Sequence, residues 1–236
     1  MLWLVLTAPF VAPIGAAAGD PVQDLRERLE KAGIRGYRLS TNATGRFSLY
    51  VSGTNLTDLA IIKGLPYDEL SIYDAPVSDL GPIADMKLTS LQLVQTSVTN
   101  LSPVRGMPIW KLHLIKVRIP DLTPLQGMPL KNVHLDVDPV TNGMDVFRQM
   151  PTLETINMRK PADFYEWYGR RCALHEYCRK IGLERERYNP DVEGNGFRQL
   201  DLRGWKGAGD LIAFQGRPIM KLQFDPRGAT NGLSAI

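Results

Sequence analysis

A repeated pattern of apolar and polar positions organises the middle of the chain, where one 21-residue unit occurs three times in succession between Leu70 and Val133. Each unit opens with an apolar, a polar and an apolar residue, and a fourth unit opens in the same way at Val133. This alternation is typical of a short strand with one buried face. One strand per unit at a constant spacing predicts parallel strands in which each unit packs against its neighbours. The opening triplets are Leu70–Ile72, Leu91–Leu93 and Leu112–Leu114.

The rest of each unit predicts an arm that returns the chain to the next strand. A proline occurs twelve residues after each unit begins, at Pro82, Pro103 and Pro124. Because proline fixes φ and lacks an N–H, this arm is predicted to be a short helical turn or an extended segment, not a central strand. Apolar residues precede the proline seven and ten residues into the unit, and we expect them in the core: Val77, Val98, Ile119 and Val140, then Leu80, Leu101 and Leu122.

A single unit is too small to fold alone. About six apolar side chains contribute roughly 1.5–3 kcal/mol each, whereas ordering ~21 residues costs roughly 1–2 kcal/mol per residue. Stacking against both neighbours must therefore supply the remaining stability.

The pattern L-x-x-L-x-L, followed by V-x-x-L-x-P-L-x-G-M-P, resembles the leucine-rich repeat family. Within that family the units are similar to those of bacterial internalin-like proteins and of planctomycete-type proteins, whose arrays often accompany serine/threonine kinases. The resemblance covers residues 47–158 closely and 197–236 loosely. It implies an α/β fold, namely a leucine-rich repeat solenoid with short parallel strands, helical caps and a second degenerate repeat segment.

The sequence predicts five consecutive segments. Residues 1–19 are interpreted as a signal peptide, because positions 2–18 carry no charge and end in alanines; a remnant of an apolar membrane anchor is the alternative. Residues 20–48 are predicted to form an N-terminal cap of one helix and one hairpin. Residues 49–158 form the repeat array, residues 159–187 a helical cap or linker, and residues 188–236 a second, incomplete array that repeats the N-terminal order of helix, turn and strand.

Apolar spacing predicts two helices within these segments. The first runs from Asp20 to Ala32, with Asp20 as N-cap and Gly33 after its end. The second follows Pro161 and carries a stripe that we expect to pack over the last repeat. The stripe consists of Phe164, Trp167, Tyr168, Leu174, Cys178 and Ile181.

The two cysteines, Cys172 and Cys178, are six residues apart on the second helix. On a continuous helix they are separated by about 9 Å along the axis, and a disulfide requires Cα atoms within about 7 Å. We therefore predict free thiols unless the helix breaks between them. A metal site formed by both cysteines and His175 lacks a fourth ligand, so no metal and no cofactor are predicted.

Composition limits the classes of partner. The chain is 44% hydrophobic and 22% charged, which is ordinary for a globular protein. The formal charge of +3 is spread along the chain without a basic cluster, which argues against a nucleic-acid partner. No membrane insertion is predicted once the signal peptide is removed.

The candidate binding residues are strand residues that point away from the core, together with Trp110 and Lys111, which precede them. In a solenoid these residues line the concave face. Exposed aromatic and apolar residues on a rigid sheet are typical of protein interfaces. An acid–base or metal pair at the two histidines is the alternative, but no catalytic motif occurs, and no catalytic residue is predicted. The candidate binding residues are Tyr50, Tyr73, Trp110, Lys111, His113, Ile115, His134 and Asp136.

The sequence therefore predicts a non-enzymatic protein-binding module with an unidentified protein partner. The signal peptide predicts that it is secreted, periplasmic or on the cell surface. The alternative is a regulatory or sensor fragment of a larger protein, for example one linked to a kinase.

Overall fold

The described part of the chain consists of residues 20–42, 44–53, 55–190, 196–203, 214 and 216–223 of a computed structural model. The predicted signal peptide and the last part of the predicted second array lie outside these residues. The chain divides into two units. The first contains residues up to Pro129 together with Leu135–Gln149, and the second contains Leu130–His134 together with the chain from Met150 onward.

The first unit begins with helix α1, Pro21–Lys31, as predicted. The Asp20 carboxylate accepts a hydrogen bond from the Val22 N–H at 3.0 Å, which satisfies one of the N–H groups at the start of the helix. Leu25 and Leu29 form its buried face. Arg28 joins the helix to the first repeat, because its guanidinium donates to the carbonyl of Ile61 at 2.7 Å.

The predicted hairpin follows α1 and leads into a parallel sheet. Strands β1 (Tyr37–Thr41) and β2 (Phe47–Ser52) pair antiparallel, and β2 then pairs in parallel with β3 (Tyr67–Ala75). β3, β4 (Ser90–Thr96) and β5 (Lys111–Ile115) continue the parallel order. The 21-residue spacing sets the register, since Leu70 lies opposite Leu91 and Leu91 opposite Leu112.

A residue with a left-handed backbone occurs at the end of each of the three repeat strands, at the same position of the repeat. These residues are Asp74 (φ 51°), Gln95 (φ 55°) and Lys116 (φ 54°). A non-glycine residue in this conformation costs roughly 1–2 kcal/mol. The conformation recurs every 21 residues, so it is a constant element of the turn that leaves the sheet.

The proline-containing arms are short 3-10 helical turns, at Gly81–Ile83, Ser102–Val104 and Thr123–Leu125. A side-chain oxygen at one recurring position caps each turn by accepting the N–H two residues later, as Asx turns do. The pairs are Asp79 with Gly81 at 2.7 Å, Asn100 with Ser102 at 2.9 Å and Asp121 with Thr123 at 2.9 Å.

The predicted core positions are buried in the three regular repeats, but the prediction for Val140 is wrong. Val77, Val98 and Ile119 are buried, whereas Val140 is only partly buried and Val137 is buried in the same repeat. The fourth repeat departs from the pattern because it lacks the proline arm, and a longer 3-10 segment, Met144–Gln149, takes its place.

The described part of the second unit contains three strand pairings. β6 (Asn132–Leu135), whose first three residues belong to this unit, pairs in parallel with β7 (Thr155–Ile156). Further along the chain, β8 (Tyr188–Pro190) and β9 (Phe197–Asp201) pair antiparallel, and β9 pairs in parallel with β10 (Leu222–Gln223). In β8–β10, as in β1–β3, an antiparallel pair comes first and a parallel strand follows.

Helix α2, Pro161–Lys180, lies between these strand pairs and contacts β7. Phe164, Leu174 and Cys178 form its buried face, whereas Trp167 and Tyr168 are only half-buried. The helix is continuous, and both cysteines are free thiols, as its geometry predicts: Cys172 is exposed and Cys178 is buried. Among the described residues, no helix has the length and apolar character that crossing a membrane requires.

The two helices end with the same local geometry. After α1, the N–H of Ile34 donates to the carbonyl of Leu29 at 2.8 Å, and after α2, the N–H of Leu183 donates to the carbonyl of Cys178 at 2.9 Å. A glycine with positive φ precedes each donor, namely Gly33 and Gly182. This is the helix-ending motif that a left-handed glycine permits.

The strands that follow also agree in detail. The N–H of Phe47 on β2 donates to the carbonyl of Pro66 at 3.0 Å, and the N–H of Phe197 on β9 donates to the carbonyl of Pro218 at 2.8 Å. Buried residues of α2, β8, β9 and the connecting segments form the core of this part of the second unit. They are Leu174, Cys178, Leu183, Tyr188, Phe197, Leu200, Leu202 and Phe214.

Candidate functional site

The face of β2–β5 that points away from the core of the first unit is called the open face here. Strand alternation places every second side chain on it, and the parallel register aligns these side chains in two columns. The first column runs from Tyr50 through Ser71 and Gln92 to His113, and the second from Ser52 through Tyr73 and Val94 to Ile115.

Two tyrosines and a glutamine form an ordered cluster on the open face. The rings of Tyr50 and Tyr73 lie 5.2 Å apart between centroids, within the range of a favourable aromatic pair. The Tyr73 hydroxyl donates to Oε1 of Gln92 at 2.8 Å. Partial burial and, secondarily, the neighbouring Tyr50 raise the pKa of Tyr73, so its phenol stays protonated and remains a donor.

Trp110 lies at the entry of β5 with 39% of its surface exposed. Its N–H and that of Lys111 both donate to the carbonyl of Thr89, at 2.9 Å and 3.3 Å. This shared acceptor fixes the backbone beside the ring, while the indole remains open to solvent. Lys111, His113 and Ile115 follow on the open face and are each half-buried.

Two of the predicted site residues, Asp136 and His134, have surroundings that differ from those of the others. Asp136 accepts the N–H of Lys116 at 2.6 Å, so one of its carboxylate oxygens stabilises the left-handed residue after β5. His134 lies on β6 in the second unit and is half-buried. The first unit therefore places Tyr50, Tyr73, Lys111, His113 and Ile115 on one face of the sheet, with Trp110 directly before β5. The role of these residues in binding stays a prediction.

Arg46 is a residue that the sequence analysis missed. Its guanidinium contacts Oδ1 of Asp68 at 3.3 Å and the carbonyls of Tyr67 and Lys87, the latter at 2.8 Å. It thus connects the hairpin with two successive repeats near the start of the strands. Arg46 lies in the hairpin turn, outside the 21-residue pattern, so periodicity contains no signal for it.

The residues considered as metal ligands on α2 have other roles. Burial raises the pKa of the Cys178 thiol to about 11, which disfavours the thiolate that binds metals. Nδ1 of His175 is hydrogen-bonded to the Tyr188 hydroxyl at 2.8 Å. In the described part of the chain, no group of three or more histidine, cysteine, aspartate or glutamate side chains has a metal-binding arrangement.

Comparison with known proteins gives structural likenesses but no match in sequence. No protein-family model matches the sequence, and no curated protein matches it. Among solved structures, the chain is similar to the crystal structure of an internalin (inlF) from Listeria monocytogenes, with 16% sequence identity and a TM-score of 0.38. The match covers 57% of this chain and 47% of the internalin chain, so this chain spans about half the length of that protein.

Proposed function

We propose that this chain is a non-enzymatic binding module of the leucine-rich repeat type, and that its open face, concave in a repeat solenoid, receives a protein partner. The observation that carries the proposal is the ordered pair of Tyr50 and Tyr73 on strands held in a fixed 21-residue register, together with the exposed Trp110 at the entry of β5. Repeat sheets of this kind offer an extended binding surface.

The chemistry of these side chains favours a protein over a small molecule. Tyrosine and tryptophan bury a large area at a small entropic cost, and they dominate the energetics of protein interfaces. The ring pair and the hydrogen bond to Gln92 hold Tyr73 in place before any partner binds. A preorganised side chain loses less entropy on binding, which increases affinity.

The open face is a sheet surface that carries polar, aromatic and aliphatic side chains in two columns. Lys111, His113 and Ile115 extend the cluster along β5. We include them in the proposed interface, and His134 and Asp136 stay predicted members of it.

The proposal is tested with a partner captured from the native source, purified and measured against the full chain by calorimetry. Trp110→Ala and Tyr73→Ala are each expected to raise the dissociation constant by about 30-fold, equivalent to about 2 kcal/mol for an interface hot spot. Arg118→Ala is the matched control, because Arg118 is exposed in the same repeat but follows β5 outside the open face.

Binding that is unchanged in both aromatic variants, or that falls equally in the Arg118 variant, would refute the assignment of the face. The melting temperature of each variant is compared with that of the wild type. A loss of affinity is interpreted only where the melting temperature is retained.

We infer further that residues 188–236 begin a second repeat array. The agreement between the ends of α1 and α2, and between β1–β3 and β8–β10, supports this organisation. Export to the periplasm, the cell surface or the medium is proposed from the charge-free residues 2–18.

A further inference from the structure

A pocket in the second unit is lined by three arginines, a tryptophan, two asparagines and a proline. Its volume is about 320 Å³, at the small end of the range for ligand pockets of roughly 300–1,000 Å³. The lining side chains come from the turn after β7, from α2 and from the β8–β9 pair. They are Asn157, Arg159, Trp167, Arg171, Asn189, Pro190 and Arg198.

Trp167 positions two of the guanidinium groups. The central carbon of Arg159 lies 5.5 Å from the centroid of the Trp167 ring, and that of Arg171 lies 5.6 Å from it. Both distances are within the range of a cation–π interaction. Trp167 and Arg171 are four residues apart on α2, so the helix itself places them on one face.

The turn that presents Arg159 has an unusual backbone. Ile156 and Arg159 exchange both backbone hydrogen bonds, at 2.9 Å and 3.0 Å. The two residues between them, Asn157 (φ 50°) and Met158 (φ 63°), are both left-handed and neither is glycine. Such a conformation is costly for methionine, and strained backbone of this kind clusters at functional sites.

Arg159 and Arg198 supply fixed positive charge to the pocket. Arginine stays protonated at every physiological pH. No acidic side chain is among the described residues that line the pocket, and within the described chain no ion pair involves Arg159 or Arg198. The two asparagines add neutral amide donors.

We propose that this pocket binds a phosphoryl group, either on a small phosphomonoester or as inorganic phosphate. A phosphoryl group at neutral pH carries close to two negative charges and three acceptor oxygens. It therefore matches the guanidinium groups of Arg159 and Arg198 better than a single carboxylate does. The pocket lies within the second unit, so the proposal is independent of the open face.

The test is a calorimetric titration of the full chain at constant ionic strength with three probes, namely inorganic phosphate, phosphoserine and malonate. Phosphate or phosphoserine is expected to bind with a dissociation constant on the order of 1 mM or lower. Tighter binding of phosphoserine than of inorganic phosphate would identify a phosphomonoester as the source of the group, and equal binding would identify free phosphate. Malonate, a dicarboxylate of similar charge, is expected to bind at least about tenfold more weakly.

Variants locate the site. Arg159→Gln and Arg198→Gln are each expected to weaken phosphate binding by about tenfold or more. Arg170→Gln is the matched control: Arg170 is the neighbour of Arg171 on α2, does not line the pocket, and is paired with Glu166 at 2.6 Å. Its affinity for phosphate is expected to stay within about twofold of the wild type.

Three outcomes would overturn the proposal. The first is the absence of saturable binding of phosphate and phosphoserine up to about tenfold above the expected dissociation constant. The second is malonate binding as tight as phosphate binding. The third is an affinity for phosphate that is unchanged in both pocket variants or that falls equally in the Arg170 variant. Melting temperatures of all variants are measured in the absence of phosphate, so that unfolding is distinguished from loss of the site.

Discussion

Replacing Gly143 by alanine tests whether the end of the regular array depends on close backbone contact. Gly143 has φ +81°, and a Cβ at this position meets the backbone nitrogen of Thr123 at 2.7 Å and the backbone carbon of Leu122 at 3.0 Å. Real Cβ atoms do not approach backbone this closely, and backbone cannot rotate aside as a side chain does. The fourth repeat must therefore shift away from the third.

Gly127 offers a matched control with the same backbone strain and no clash. Its φ is +75°, and a Cβ there meets no atom of the described residues within 4 Å. Alanine in a left-handed conformation costs roughly 1–2 kcal/mol, partly offset by about 0.4–1 kcal/mol from the stiffer unfolded chain. Gly127→Ala is therefore expected to lower the free energy of unfolding by about 1 kcal/mol.

Gly143→Ala has the same conformational cost and adds an overpacking cost of about 1–3 kcal/mol, for an expected total of about 2–4 kcal/mol. Thermal unfolding followed by circular dichroism measures the difference. In a chain of this size, 1 kcal/mol corresponds to a change of about 2–4 °C in melting temperature. Equal melting temperatures for the two variants, or a larger loss at Gly127, would show that the backbone contact at Gly143 does not limit stability.

Two further predictions concern buried polar groups and thiols. The Tyr67 hydroxyl is buried with no hydrogen-bond partner among the described residues, and burial raises its pKa. Tyr67→Phe is therefore expected to raise the free energy of unfolding by about 1 kcal/mol. Tyr188→Phe removes the hydrogen bond to His175 and is expected to lower the free energy of unfolding by about 1 kcal/mol. Urea unfolding measures both, and a loss of stability in the Tyr67 variant contradicts the prediction. Cys172 is expected to react with a thiol reagent at pH 8 in the native protein, and Cys178 only after unfolding, because burial raises the Cys178 pKa to about 11. Equal reaction rates of the two thiols in the native state would contradict this prediction.

The strand register and the helix α1 follow from information that is local or periodic in the sequence. A 21-residue repeat of apolar residues has one parallel arrangement that buries every unit on both sides, and the observed pairing of Leu70, Leu91 and Leu112 has that register. Asp20, Pro21 and Gly33 mark the ends of α1 through backbone effects that act within one turn. The spacing of the cysteines on α2 likewise follows from helix geometry alone.

Packing between distant segments decided the rest. Val137 and not Val140 is buried in the fourth repeat, because the repeat that lacks a proline arm follows a different path. Asp136 supports the Lys116 backbone 20 residues earlier, a contact that no spacing rule contains. The left-handed conformation of Gln95 and Lys116 is imposed by the turn out of the sheet, since neither residue type favours it.

In the two candidate sites as well, the sequence predicts some features and only packing decides the others. The order of residues along β2–β5 predicts which side chains share the open face, because alternation and register are periodic. The distance and tilt of the Tyr50 and Tyr73 rings, and the arginine pocket built from residues about 40 positions apart in the chain, arise only when separate elements pack together. The sequence alone thus determined the repeat and its faces, and the tertiary structure decided which side chains meet, because contacts between distant residues depend on the packing of the whole unit.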